Sequence, residues 1–292
     1  MEIDGVFSGG GMKAIAFVGA IEVMEREGFI FKKVAGTSAG AIIAALIKAG
    51  YKANEIKEIL TEVNFKKFLD RPNTRIPIPL LKWAHFYFRM GVYKGDALEA
   101  WMAQLLKDRG IETFADIEEG SLKIIASDLT KGRMITLPDD LSEYGLNQHA
   151  FPIAKAVRMS AGIPYFFEPM KIYDRLGIKS VIVDGAVLSN FPIWLFETND
   201  DRPIVGFKLS PKLENTPPNN IKNAFDMLPA LIETMLTAHD ARYISKKVAS
   251  QIIFIPIESV KNTEFTLSSK MKKELAEVGR QKAEEFIEKW RG

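Results

Sequence analysis

The sequence predicts an α/β protein in which a central, mostly parallel sheet is flanked by helices. Short β-branched segments alternate with segments of helical periodicity along the chain, and this alternation is typical of parallel sheets. Two glycine-containing turns near the N-terminus each lead from a predicted strand into a predicted helix. The chain has 292 residues, of which 47% are hydrophobic, so it can bury the core of one α/β domain.

The first strand and the loop after it form a candidate anion-binding element. Residues 3–7 alternate, three consecutive glycines (Gly9, Gly10 and Gly11) follow, and helical periodicity begins after Lys13. Backbone N–H groups at the start of a helix bind anions, and the oxyanion of an acyl transfer is such an anion. The three glycines are therefore a candidate oxyanion hole, and Lys13 adds a positive charge nearby.

The second strand ends in a turn that carries a candidate nucleophile. Gly36, Ser38 and Gly40 form a G-x-S-x-G sequence between a short strand and an apolar helical segment, which is the pattern of a nucleophile elbow. The two glycines allow a sharp turn and close packing of the helix on the strand. The serine hydroxyl would lie at the positive end of the helix dipole.

A third segment supplies a candidate general base. The β-branched run at residues 181–183 leads to Asp184 and Gly185. A carboxylate at the end of a strand can face the serine and accept its proton. An ordinary Asp-Gly turn after a strand explains the same residues more simply. The combination with the elbow and the glycine loop favours a catalytic role for Asp184, with Gly185 in support.

In this order, the three blocks resemble the signature of the patatin-like phospholipases. The resemblance extends over residues 3–210 and includes two segments around the aspartate. These segments are residues 156–161 followed by Pro164, Phe167 and Pro169, and Asn190 with Pro192.

The resemblance implies a patatin-like three-layer fold and a Ser-Asp dyad, Ser38 and Asp184, that hydrolyses acyl esters of lipids. It also implies that the glycine loop is the oxyanion hole. The sequence departs from the family at Ser8, where an aspartate is often found, and at Ala14, where a glycine often closes the loop. Neither departure removes an N–H group from the loop.

Two other enzyme classes share parts of this pattern. An α/β-hydrolase would need a histidine after Asp184, and only His239 qualifies, but it lies in a helix-periodic stretch. Only one strand-helix unit precedes Ser38, which is too few for that fold. A dinucleotide site is also disfavoured, because no acidic residue ends the second strand. Phosphate binding by the glycine loop is the weaker interpretation.

Composition argues against several further classes. The net charge of +2 is too small for a globally basic nucleic-acid binder. The chain has no cysteine and three histidines, so we expect neither a disulfide nor a metal, and no cofactor. No signal-peptide pattern and no run of about 18 apolar residues is present. We therefore expect a cytoplasmic protein, with peripheral membrane attachment as an alternative.

The remaining pattern predicts the other elements and a division of the chain. Further helices are predicted over residues 54–64, 94–109, 153–160, 221–246 and 268–290. Further strands are predicted at residues 122–127, 134–137, 181–183, 204–209 and 251–255. A linker at residues 211–220 separates a catalytic domain, 1–210, from a mainly helical part, 211–292, packed on the same domain. In a parallel sheet, the site lies at the carboxyl ends of the strands.

The segment from Arg75 to Lys94 is a candidate lid or membrane contact. It contains several aromatic residues among basic ones, and an amphipathic helix of this composition is typical of interfacial attachment. An ordinary buried helix is the alternative.

Together these observations predict a serine acyl hydrolase of phospholipids or related lipids, of the phospholipase A or lysophospholipase type. Two alternatives remain: an acyltransferase or esterase that uses another acyl donor, and a lipid-binding protein with a vestigial site.

Overall fold

The structure is a computed structural model that describes residues 1–70, 87–196, 202–210, 249–257 and 267–291, together with positions 221 and 234. The strands are β1 (Glu2–Phe7), β2 (Ile30–Thr37), β3 (Gly91–Tyr93), β4 (Leu122–Asp128), β5 (Arg133–Leu137), β6 (Tyr165–Phe167), β7 (Met170–Tyr173), β8 (Lys179–Asp184), β9 (Ile204–Lys208) and β10 (Ile252–Phe254). The α-helices are α1 (Ile15–Arg26), α2 (Ala39–Lys48), α3 (Ala53–Glu62), α4 (Asp96–Lys107), α5 (Ile153–Ser160) and α6 (Ser269–Arg291).

Within the described residues, the central sheet contains five parallel strands in the order β10-β9-β1-β2-β4. Side chains of β1 enter apolar clusters on both faces of this sheet. Ile3 and Phe7 lie in the larger cluster with residues of α1 and α2, whereas Val6 packs with Phe191 and Ile193. A strand that is buried on both faces is typical of parallel sheets covered by other elements. The predicted α/β fold with a mostly parallel sheet and flanking helices is confirmed.

One side of the sheet departs from the predicted parallel arrangement. β5 and β8 both pair antiparallel with β4, and β7 forms an antiparallel hairpin with β8. Asp184 lies at the carboxyl end of its strand, as predicted, but β8 runs antiparallel to β4. Alternating patterns reveal which residues share a face, but they carry no information on strand direction.

Helix α6 crosses α1 through two glycines. A Cβ atom on Gly19 would overlap the backbone carbonyl of Ala276, and one on Gly279 would overlap that of Ala16. The two helix backbones are therefore in direct contact, closer than ordinary side chains would allow. This contact attaches the last helix of the chain to the first.

The predicted helices and strands that fall within the described residues agree with the structure to within two residues. The helix predicted over residues 221–246 and the linker at 211–220 lie outside the described residues, apart from positions 221 and 234. The division of the chain at residue 210 stays a prediction.

Candidate active site

Ser38 occupies a sharp turn between β2 and α2. Its backbone has φ 55° and ψ −123°, a conformation that costs a non-glycine residue about 1–3 kcal/mol. A Cβ atom on Gly36 would overlap the carbonyl of Gly40, and one on Gly40 would lie 2.6 Å from the carbonyl oxygen of Ser8. The two glycines thus let α2 pack directly on the ends of β2 and β1. The predicted strand-turn-helix arrangement around Ser38 is confirmed.

Ser38 and Asp184 meet because two strands end opposite each other along β4. β5 pairs with one edge of β4. The residues of β4 that pair with the ends of β2 and β8 also pair with β5, so β2 and β8 both lie along the other edge of β4. β2 runs to Thr37, which pairs with Ile125, and β8 runs in the opposite direction to Asp184, which pairs with Ala126. Because Ile125 and Ala126 are adjacent on β4, the end of β2 and the end of β8 lie next to each other.

The Asp184 carboxylate is buried and accepts two hydrogen bonds. The Ser38 hydroxyl donates to Oδ2 at 2.6 Å, and the Ala186 N–H donates to Oδ1 at 2.8 Å. The Asp184 N–H donates to the Gly162 carbonyl at 2.9 Å, which fixes the backbone as well. Burial raises the pKa of Asp184 to about 6, although its two hydrogen-bond donors partly lower it. The carboxylate is thus a stronger base than an exposed aspartate.

The glycine loop lies directly against Ser38, because a Cβ atom on Gly9 would be 3.2 Å from the Ser38 Cβ. The Gly9 N–H donates to the Asn190 carbonyl at 3.0 Å. The N–H groups of Gly10 and Gly11 form no hydrogen bond within the described part of the chain. Gly11 also has φ 56°, which glycine adopts without strain. Of the three glycines, Gly10 and Gly11 therefore have N–H groups that no described residue accepts, whereas the Gly9 N–H is engaged.

Ser8 ties the glycine loop to the end of β9. Its hydroxyl donates to the Gly9 carbonyl and accepts the Leu209 N–H, both at 3.0 Å. Its own N–H donates to the Phe207 carbonyl, also at 3.0 Å. The serine that stands where the family often has an aspartate therefore holds the loop in place without adding a charge.

Ser160 is a site residue that sequence analysis did not identify. This buried serine ends α5, and its hydroxyl accepts the Ser38 N–H at 2.9 Å and donates to the Ile125 carbonyl at 2.5 Å. It therefore holds the strained backbone of Ser38 to the strand beside it. The segment of the family resemblance contains Ser160, but nothing in its local pattern indicated a contact 122 positions away in the chain.

The supporting residues also fall near the site. A Cβ atom on Gly185 would overlap the carbonyl of Ile125, so the turn after Asp184 packs on β4. Lys13 lies half-buried in the 3-10 turn Gly11–Ala14, and its N–H donates to the Gly10 carbonyl at 3.2 Å.

Histidines take no part in the hydrogen bonds that the described residues form with Ser38 or Asp184. His149 is exposed in a turn, where its N–H donates to Asn147. His85 and His239 lie outside the described residues.

Comparison with known proteins identifies the family. The patatin-like phospholipase profile matches residues 5–196, a range that contains the glycine loop, Ser38 and Asp184. The chain therefore belongs to the patatin-like phospholipase family, and it is a lipid acyl hydrolase by family.

Individual proteins resemble the chain in sequence or in fold. The chain is 52% identical over 290 residues to the uncharacterized protein YqhO of Bacillus subtilis (strain 168), covering 99% of both chains. It is 28% identical over 196 residues to a cUMP-AMP-activated phospholipase of Escherichia coli, covering 63% of this chain and 54% of that protein. The crystal structure of VipD from Legionella pneumophila matches with a TM-score of 0.60 and 16% identity, over 99% of this chain and 67% of VipD.

Among the residues that the structure describes, no helix is long and apolar enough to cross a membrane.

Proposed function

We propose that this protein is a serine hydrolase that cleaves fatty acyl esters of phospholipids or related lipids through a Ser38–Asp184 dyad. The observation that carries this proposal is the 2.6 Å hydrogen bond from the Ser38 hydroxyl to the buried Asp184 carboxylate. A serine on an elbow with an adjacent base is the arrangement that nucleophilic catalysis requires. The two unengaged N–H groups of the neighbouring glycine loop support the same function.

The dyad would act in two steps. Ser38 Oγ attacks the ester carbonyl carbon while its proton passes to Asp184 Oδ2. Collapse of the tetrahedral intermediate expels the alcohol or lysolipid, which takes that proton, and leaves the acyl group on Ser38. A water molecule then gives a proton to Asp184 and attacks the acyl group. Ser38 regains this proton as the fatty acid leaves, so the enzyme returns to its starting state.

The N–H groups of Gly10 and Gly11 would stabilise the negative charge on the tetrahedral oxygen. Donors that are fixed before the reaction act at full strength in a buried site. Gly9 would shape the loop against Ser38, because its own N–H is engaged by Asn190. Lys13 would add a positive charge to the loop.

The segment from Arg75 to Lys94 would assist by contacting the lipid surface. Its described part contains Tyr87 and Phe88, which are 77% and 73% exposed. Exposed aromatic rings beside basic residues favour binding at a membrane interface. Trp83 and Phe86, which the sequence places in the same segment, lie outside the described residues.

Covalent labelling tests the nucleophile. A fluorophosphonate should modify Ser38, and Ser38→Ala should abolish both labelling and ester hydrolysis while the protein stays folded. Ser180→Ala serves as a control, because this buried hydroxyl has no hydrogen-bond partner among the described residues. Labelling at another serine would contradict the dyad.

Product analysis tests the reaction. Fatty acid release from phospholipid, lysophospholipid, triacylglycerol and p-nitrophenyl esters defines the substrate. Transfer of the acyl group to an added alcohol in preference to water would favour the acyltransferase alternative. Lipid binding without labelling or turnover would favour a vestigial site. Loss of activity in His239→Ala, with normal folding, would favour a triad.

A further inference from the structure

The β7–β8 hairpin extends from the active site to the surface. β8 ends at Asp184, and the hairpin turn at residues 174–178 lies six residues earlier, or about 20 Å away along an extended strand. β8 runs opposite to β4, so the turn projects beyond the end of β2, on the side of the molecule where Ser38 lies. The turn therefore lies on the same side of the sheet as the end of β2, which leads into Ser38.

The surface of this hairpin is both apolar and basic. Leu176, Tyr173 and Ile178 are 85%, 56% and 51% exposed. Lys171, Arg175 and Lys179 are exposed beside them, and none of these three forms an ion pair within the described residues. We call these six residues the hairpin patch. Single exposed apolar residues are normal, but a cluster of them marks an interaction site.

The hairpin patch is held in a fixed shape. The Asp174 carboxylate accepts the N–H groups of Leu176 and Ile178, both at 2.9 Å, and Gly177 adopts φ 75° in the turn. The turn's single acidic side chain is therefore directed to its own backbone. Because the turn is already ordered, contact with a partner would cost little conformational entropy.

We propose that the hairpin patch docks the protein on an anionic lipid bilayer, so that Ser38 faces the membrane surface. Basic residues next to exposed apolar ones suit a surface of phosphate groups over acyl chains. A second copy of the chain fits less well, because a two-fold contact would bring two clusters of like charge together. The proposal rests on the proposed function, since a lipid hydrolase must reach its substrate at a bilayer.

Vesicle co-sedimentation tests this docking without relying on catalysis. The probes are vesicles of phosphatidylcholine alone and vesicles that also contain phosphatidylglycerol. Two variants each remove one component of the patch: Leu176→Ser with Ile178→Ser, and Lys171→Gln with Lys179→Gln. Each lysine near an anionic surface contributes a factor of about five in binding, so the lysine variant should bind anionic vesicles about 25-fold more weakly.

Two control variants change similar residues elsewhere. Ile30→Ser alters an isoleucine that is 56% exposed at the opposite end of β2. Lys107→Gln with Lys273→Gln removes two exposed lysines from α4 and α6. The controls should bind as the wild type does. All variants should keep the wild-type melting temperature and hydrolyse a short soluble ester normally, because none touches the dyad.

Three results would overturn the docking proposal: patch variants that bind anionic vesicles as tightly as the wild type, controls that lose binding equally, or a dimer that becomes monomeric when the patch is changed. Repeating the binding measurements in Ser38→Ala separates the two proposals. Patch-dependent binding should persist in Ser38→Ala, because docking needs no catalysis. Patch-dependent binding by a wild-type protein that hydrolyses no ester would support docking and contradict the proposed hydrolase.

Discussion

At the scale of single residues, the candidate site combines two features that cost stability. Ser38 has a strained backbone at φ 55°, and Asp184 is a carboxyl group buried in the protein. Hydrogen bonds hold both residues: the Ser38 N–H donates to the Ser160 hydroxyl, and the Ala186 N–H donates to the Asp184 carboxylate. Strain and burial of this kind accumulate where a group must be reactive.

The buried carboxyl group predicts a pH profile for activity. The pKa of Asp184 is raised to about 6 by burial, and only the ionised form accepts the proton of Ser38. We expect kcat/KM for a soluble ester to fall below about pH 6. An ordinary aspartate would stay ionised to about pH 4. A flat profile between pH 5 and pH 7 would contradict the assigned base.

The same shift predicts how stability depends on pH. Folded Asp184 keeps its proton up to about pH 6, whereas the unfolded chain loses it near pH 4. This residue therefore favours folding in acid, and that contribution is lost as the pH rises through 6. Relative to Asp184→Asn, the wild type should lose about 1–3 kcal/mol of unfolding free energy between pH 4 and pH 7. A difference that is constant with pH would disprove the shift.

Ser160 should act as a positioning residue. Ser160→Ala leaves the Ser38 N–H and the Ile125 carbonyl without their shared partner, and a lost buried hydrogen bond costs about 1–3 kcal/mol. Displacement of the nucleophile should lower kcat by about 10- to 100-fold with little change in KM. Ser180→Ala is the matched control, because no residue in the described ranges forms a hydrogen bond with this buried hydroxyl. A purely structural role would instead lower the melting temperature and leave kcat unchanged.

At the scale of elements, local sequence patterns predicted where helices and strands lie along the chain, but they did not predict which elements lie next to each other in the fold. The helix predicted over residues 153–160 matches α5, because its apolar spacing and flanking residues are local signals. The turn that presents Ser38 was predicted for the same reason. The opposed ends of β2 and β8 were not, since this arrangement depends on the edges of β4. The contact of Ser160 with Ser38 also requires knowledge of tertiary packing.

The crossing of α1 and α6 is a feature that sequence analysis missed. Gly19 and Gly279 lie inside helices, where a glycine usually costs about 1 kcal/mol relative to alanine. Here a Cβ atom at either position would overlap a backbone carbonyl. We therefore expect Gly279→Ala to lower the free energy of unfolding by about 1–3 kcal/mol, despite its better helix propensity.

Denaturant unfolding measures this effect, with Glu274→Ala on the exposed side of α6 as the control. The specific activity of the folded Gly279→Ala protein on a soluble ester should stay normal, because the crossing does not touch the dyad. An increase in stability, as expected for an ordinary helical glycine, would show that the two helices are not in close contact.

At the scale of the whole molecule, the ends of the chain complete the fold around the site. The family profile stops at residue 196, yet β10 pairs with β9 and α6 packs on α1. Lys272 of α6 also donates to the last carbonyls of α3, those of Leu60 at 2.9 Å and Thr61 at 2.8 Å. The residues that form the dyad are thus separated in sequence from part of the structure that supports them.

This arrangement predicts that a fragment of residues 1–210 will not fold stably, although it contains every proposed catalytic residue. Removing α6 exposes the small-residue face of α1, and removing β10 leaves an open edge on β9, which favours aggregation. We expect the fragment to be insoluble or to lack a cooperative thermal transition, whereas the full chain unfolds in one step. Adding residues 249–292 as a separate polypeptide should partly restore ester hydrolysis, because the contacts of α6 with α1 and of β10 with β9 do not require a covalent connection to re-form. A fragment that melts cooperatively and hydrolyses a soluble ester at the wild-type rate would instead establish residues 1–210 as an independent catalytic domain.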